Sequence, residues 1–220
     1  MKQLAMEKVG DTKYGLQDYV PTPTFCVDAL VSSGHPPPPD VTDPFAGDGA
    51  ILRRLVDHHY DPSLMHAVEM RDERDSLDRL GLGSVTIGDW FQVRESMGRK
   101  CPACGTQRKR PRVRTCPVCE RVGIGWIGWP TANIVTNVPW SILERAVVSC
   151  LETDGRGAVQ YVASLQPMEE LGGVARCGWL KAYCPTAIVS LMRRPFPRAA
   201  RGCCWMIWEY GVKPIDLEIR

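Results

Sequence analysis

The sequence predicts an alternating α/β fold with a parallel sheet, interrupted by a small cysteine-paired insertion. Three observations carry this. A short apolar strand, a glycine turn and a helical pattern follow one another over residues 41–56. Further apolar runs, starting near residues 65, 84, 132, 158 and 187, alternate with helical patterns before a last strand at 203–210 follows directly. Two Cys-x-x-Cys pairs, Cys101/Cys104 and Cys116/Cys119, mark the insertion.

The 220 residues suit one domain with an insertion: 1–98 and 125–220 for the main body, 99–124 for the inserted unit. Hydrophobic residues make up 44% and charged ones 24%, as in ordinary globular proteins. No apolar run approaches the ~18 residues of a membrane span, and the first residues lack the apolar core of a signal peptide. A cytoplasmic protein without membrane partners is the expectation, and the six cysteines outside the pairs are expected to be small buried hydrophobes rather than disulfides. The net charge of +2 hides an asymmetry. Residues 99–121 hold eight basic side chains against Glu120 alone, so that segment carries +7 and the remainder −5. A polyanionic partner would be drawn to that segment.

Taken in order, residues 1–17 form a polar arm. Pro21 and Pro23 fix an extended lead-in to a helix bearing Phe25, Val27, Leu30 and Val31, with Thr22 or Thr24 as its cap. The proline run at 36–39 is a stiff connector. In Asp43-Pro44-Phe45-Ala46-Gly47-Asp48-Gly49-Ala50, Gly47 and Gly49 permit positive φ and close backbone approach. Free N–H groups at the following helix start favour a carboxylate, while Asp43 suits a cationic amine. Together they fit a zwitterionic amino acid. Glu69 ends the second strand some twenty residues on, where an acid accepts ribose hydroxyls. Asp72 to Leu80 is expected to be a charged, solvated helix. Asp89, after the third strand, could accept from an exocyclic amine, with Trp90 or Phe91 packed on the ring.

Cys101, Cys104, Cys116 and Cys119 are two knuckles eleven residues apart, which suits one tetrahedral Zn2+ in a zinc ribbon. Arg108, Lys109, Arg110, Arg112 and Arg114 lie between them and are candidate phosphate contacts. Trp126 and Trp129 pack the ribbon on the main body or stack on bases. The fourth strand then ends in Asn137-Val138-Pro139-Trp140. Beyond it, helices are expected at 141–153 and 168–181 and a basic turn at 193–198.

The wording Asp43-Pro44-Phe45-x-Gly47-x-Gly49, the acid-aromatic pair Asp89-Trp90 and the Asn137-Val138-Pro139-Trp140 tetrapeptide resemble class I S-adenosylmethionine-dependent methyltransferases. The nearest resemblance is to phage and bacterial enzymes acting on N6 of adenine in DNA. It covers nearly the whole chain outside the ribbon and the first residues. It implies a Rossmann-like sheet whose last strand is antiparallel, S-adenosylmethionine as cofactor, DNA with a flipped base as partner, and a bacterial or phage-infected cell. Tyr19 and Thr22 resemble a Tyr-x-Thr-Pro stretch that touches the methionine end of the cofactor in that family. Phe45, Gly47 and Gly49 would line the cofactor, and Asp43, Glu69 and Asp89-Trp90 would contact its amine, ribose and adenine. Asn137 and the Val138 carbonyl would accept the two hydrogens of the target amine, with Pro139 shaping the loop and Trp140 stacking on the target ring. Val138 departs from the family, which has a φ-fixing proline there. Methylation of RNA bases or of protein glutamine, or a non-catalytic zinc-dependent nucleic-acid-binding module on the same fold, are the alternatives.

Overall fold

The computed structural model describes residues 20–97, 133–151, 160–168, 177–191, 196 and 202–215. Its strands are β1 Thr42–Asp43, β2 His66–Glu69, β3 Ser84–Ile87, β4 Asn133–Thr136, β5 Tyr161–Pro167, β6 Ala187–Ser190 and β7 Cys203–Glu209. The helices are α1 Thr24–Val31, α2 Ala50–Asp57, α3 Arg74–Asp78, α4 Trp90–Met97, α5 Leu143–Leu151 and α6 Cys177–Ala182. The strands form one seven-stranded sheet in the order β3-β2-β1-β4-β5-β7-β6. β1 to β5 pair in parallel, and β7 runs antiparallel between β5 and β6.

Strand alternation divides the apolar residues between two cores, as the pleat requires. Tyr161, Ala163 and Leu165 of β5, with Cys203, Trp205 and Ile207 of β7, face one core, which α1, α2 and Leu77 of α3 cover. Val162, Cys204, Met206 and Trp208 face the other, covered by Trp90 and by residues of α5 and α6. Buried indoles find acceptors: Trp205 Nε1 donates to the Cys26 carbonyl at 2.7 Å and Trp208 Nε1 to the Tyr183 carbonyl at 2.9 Å. Cys26, Cys150, Cys203 and Cys204 are buried free thiols, and burial pushes Cys26 and Cys204 up to about 12. Cys184 is only half-buried.

Several local expectations shift. Neither Thr22 nor Thr24 caps α1: Pro23 is its N-cap residue and no side-chain cap bond forms. The helix after the glycine loop ends at Asp57 rather than near Tyr60, because His59 takes φ 67°. The charged stretch at 72–80 is helical only over Arg74–Asp78, and Leu77 there is fully buried. β5 runs on to Pro167 because it pairs with β7 along its whole length. The proline connector is fixed by the Tyr60 hydroxyl, which donates to the Pro37 carbonyl at 2.8 Å. The zinc-ribbon span 99–124, with its four cysteines and five basic candidates, lies outside the described residues, as does Tyr19. Among the described residues, no group of His, Cys, Asp and Glu could hold a metal ion, and no helix is long and apolar enough to cross a membrane.

Candidate functional site

The parallel strands bring the predicted residues to one edge of the sheet, in a definite order. Asp89 follows β3, Glu69 ends β2, Asp43 ends β1 and Asn137 follows β4, and these four strands are consecutive neighbours. At about 4.8 Å per strand gap, the row from Asp89 to Asn137 spans about 14 Å. The chain order reverses around β1, with β2 on one side and β4 on the other, and such a switch point opens a crevice at the carboxyl ends of the strands.

Asp43 is 1% exposed. Its Oδ1 accepts from the Phe45 N–H at 3.1 Å, while Oδ2 has no hydrogen-bond partner among the described residues. Burial pushes this carboxyl up to about 7; the Phe45 amide and the nearby Thr136 hydroxyl only partly oppose that, and Thr136 makes no well-formed hydrogen bond to it. A buried carboxylate oxygen without a donor is a site that a cationic amine would complete.

Glu69 is not an ordinary surface acid. It is 7% exposed, and its Oε2 accepts from the Gly47 N–H at 2.7 Å. Its Oε1 accepts from the Arg71 N–H at 2.8 Å and from Arg71 Nε at 3.0 Å. Glu69 therefore ties the glycine loop to the end of β2, and its Oε2 keeps a lone pair for a further donor.

The glycine loop differs from expectation. Gly47 and Gly49 do take positive φ, 57° and 83°. The loop's amides, however, are largely occupied from within. The Ala46 N–H donates to the Val68 carbonyl, Gly47 to Glu69, Gly49 to the Ala46 carbonyl and Ala50 to Asp48 Oδ1. A Cβ on Gly49 would lie 2.7 Å from Leu80 Cδ1 and 3.0 Å from Leu77 Cδ2, so this glycine serves the turn and the packing of α3.

Asp89 caps α4 through its Oδ1, which accepts from the Phe91 N–H at 3.0 Å. Trp90 turns inward: it is 2% exposed and donates Nε1 to Ser149 Oγ at 2.8 Å. The partly exposed rings here are Phe91 and Phe45, 6.4 Å apart and edge to face. Arg145 of α5 lies 3.9 Å above the Phe91 ring. Sequence reasoning missed Arg145, since nothing local links it to a ring 54 positions earlier in the chain.

At the fourth position the Asn137 side chain is held. Its Nδ2 donates to Thr22 Oγ1 at 3.1 Å and, more weakly, to the Val20 carbonyl at 3.5 Å. Val138 is 1% exposed and packs into the core beside α5, so burial anchors the loop where a proline ring would fix φ. Pro139 leads into a short 3-10 turn, Trp140–Ile142. The half-buried Trp140 meets Phe196 edge to face at 5.9 Å. A cavity of about 560 Å³ opens at the opposite edge of the sheet, beside Asp40, Asn133, Tyr161 and Glu209, away from this row.

No protein-family model and no curated protein matches the sequence. Solved structures do match the fold. A chain described as a type I restriction-enzyme modification subunit from Vibrio vulnificus YJ016 aligns with TM-score 0.52 at 15% identity, over 86% of this chain and 44% of that one. A chain described as "a possible methylase" from Clostridium difficile 630 aligns with TM-score 0.50 at 8% identity, over 90% of this chain and 55% of that one. A dimethyladenosine transferase from Plasmodium falciparum aligns with TM-score 0.47 at 10% identity, over 87% and 62%. The chain spans about half the length of the first two. What it shares with them is the fold, a mostly parallel seven-stranded α/β sheet.

Proposed function

We propose that this chain is an S-adenosylmethionine-dependent methyltransferase that modifies an exocyclic amine, N6 of adenine in DNA. The observation that carries the reading is the row along the sheet edge: an acid after β3, an acid on β2, a buried acid on β1 with one oxygen unpartnered, and an amide after β4. That order matches adenine, ribose, amino-acid amine and target nitrogen. The residues fit the cofactor chemically, since Asp43 Oδ2 lacks a donor among the described residues and Glu69 Oε2 retains acceptor capacity.

S-adenosylmethionine, when bound, supplies a methyl group on a sulfonium centre. Asp43 would pair its ammonium, Glu69 its ribose hydroxyls, and Asp89 with Phe91 and Phe45 its adenine, Trp90 supporting them from the core. Asn137 Oδ1 and the Val138 carbonyl would accept the two hydrogens of the target amine and turn its lone pair toward the incoming carbon. Direct displacement then needs positioning rather than a strong base. As the N–C bond formed, the C–S bond would break with release of the neutral thioether, and the methylated nitrogen would pass its extra proton to water. A base within a duplex is out of reach, so it would be flipped and stacked against Trp140, which Phe196 buttresses.

The four thiolates of Cys101, Cys104, Cys116 and Cys119 suit zinc as a donor set, and the basic residues between them would hold phosphates. The test is methyl transfer from labelled cofactor to DNA, RNA and protein, with modified bases mapped in DNA from a methylation-free host. Asn137→Ala should lower kcat by at least a hundred-fold, on the order of what a single polar transition-state contact is worth, with cofactor affinity retained. Absence of transfer to DNA by the parent would reject the DNA reading. Near-normal turnover in Asn137→Ala would move the site elsewhere.

A further inference from the structure

We infer that Thr22, together with the Val20 carbonyl, positions the Asn137 side chain so that the site accepts amines while rejecting carbonyl targets. The inference rests on the methyltransferase reading above and deepens it. A carboxamide has two ends of similar size, one donating and one accepting, and its last torsion has broad, roughly two-fold preferences. Left alone, Asn137 would present N–H as readily as oxygen. An N–H facing an exocyclic amine sets donor against donor and leaves both unpaired. The Val20 carbonyl removes that ambiguity, because it can only accept and would repel a reversed amide oxygen, and it is joined there by Thr22. Thr22 Oγ1 accepts from Asn137 Nδ2 at 3.1 Å, and the Val20 carbonyl lies 3.5 Å from the same nitrogen.

With its nitrogen engaged on this side, the group left for a target is Oδ1, which only accepts. A base bearing an amino group satisfies it. A base bearing a carbonyl at that position does not, and the mismatch leaves two acceptors facing each other. Thr22 is suited to the task because it is 7% exposed and lies between Pro21 and Pro23, the latter at φ −61°. The contact joins residues 115 positions apart, so the lead-in to α1 and the loop after β4 form one structural unit.

The experiment compares Thr22→Val and Thr22→Ser, each alone and with Asn137→Asp. Loss of the hydroxyl should lower kcat about ten-fold, with KM for DNA and the cofactor Kd little changed, and Thr22→Ser should restore it. Asn137→Asp presents an acceptor whichever way it turns, so in that background Thr22→Val should cost less than about three-fold, a non-additivity that a packing role would not produce. A second readout needs no turnover: hydrogen exchange of the Asn137 side-chain amide should quicken in Thr22→Val and stay slow in Thr22→Ser. Equal losses in both backgrounds, or a serine variant as poor as valine, would overturn the inference, as would unchanged amide exchange. A parent that transfers no methyl group overturns the proposed function instead, and amide exchange still decides whether Thr22 holds Asn137.

Discussion

Asp43→Asn tests whether the carboxyl on β1 is kept as a costly buried acid awaiting a cation. In the unfolded chain this group ionises above its ordinary value near 3.8, whereas the folded protein holds its proton up to about 7, chiefly through burial. Between those values the folded state binds more protons, so stability falls as pH climbs from about 4 to 7, and the full loss is present above 7. The whole effect is on the order of 4 kcal/mol, of which about 3 kcal/mol falls above pH 5. Asparagine cannot ionise. Its oxygen can keep the bond from the Phe45 N–H, and its nitrogen would sit near the Thr136 hydroxyl, which has no well-formed hydrogen bond of its own. Urea unfolding of the cofactor-free protein should therefore show the variant gaining about 3 kcal/mol on the parent between pH 5 and pH 8. Calorimetry should show the parent losing cofactor affinity as pH falls below about 7, since a cationic amine needs the anion, and the variant binding poorly throughout. A stability difference that does not change with pH would show that burial does not hold the proton on this carboxyl.

Gln166 is fully buried on β5, and neither its Oε1 nor its Nε2 has a partner among the described residues. Gln166→Met should raise stability by at least ~1 kcal/mol and the thermal midpoint by about 2–4 °C; a drop would show that the amide is paired. Replacing Arg108, Lys109, Arg110, Arg112 and Arg114 by glutamine should weaken DNA binding and flatten its dependence on salt, by roughly one unit of log slope for each phosphate no longer neutralised. Chelation of zinc should mimic that defect, and an unchanged slope would place DNA elsewhere on the chain.

What was legible in the sequence was local. The glycine turn, the acids ending β1 and β2 and the amide after β4 each declare themselves within a few residues, because strand ends are set by short apolar runs and by residues that stop them. The alternation of those runs also fixed the architecture, including the two closing strands. The amides of the glycine loop looked available because their acceptors come from other elements: the Val68 carbonyl and the Glu69 carboxylate belong to β2. Trp90 looked like a cofactor platform because the burial that removes it depends on Ser149, 59 residues away. The end of β5 moved for a similar reason, its pairing with β7 carrying the strand on to Pro167.

Val138 shows how such a long-range term changes the meaning of a motif. By its own chemistry it lacks the ring that fixes φ in the loop it resembles, and the loop should then sample more conformations. In the folded chain its side chain is 1% exposed and lies in the core cluster containing Val68, Trp90 and Val162. Moving a valine side chain out of such a core costs on the order of 1.5–3 kcal/mol, more than the roughly 0.4–1 kcal/mol that the restraint of a proline supplies. Thr22 constrains the Asn137 side chain from the other flank. The tetrapeptide is thus held at both its amide and its valine by parts of the chain far from it, and a departure from the motif in sequence need not be a departure in geometry.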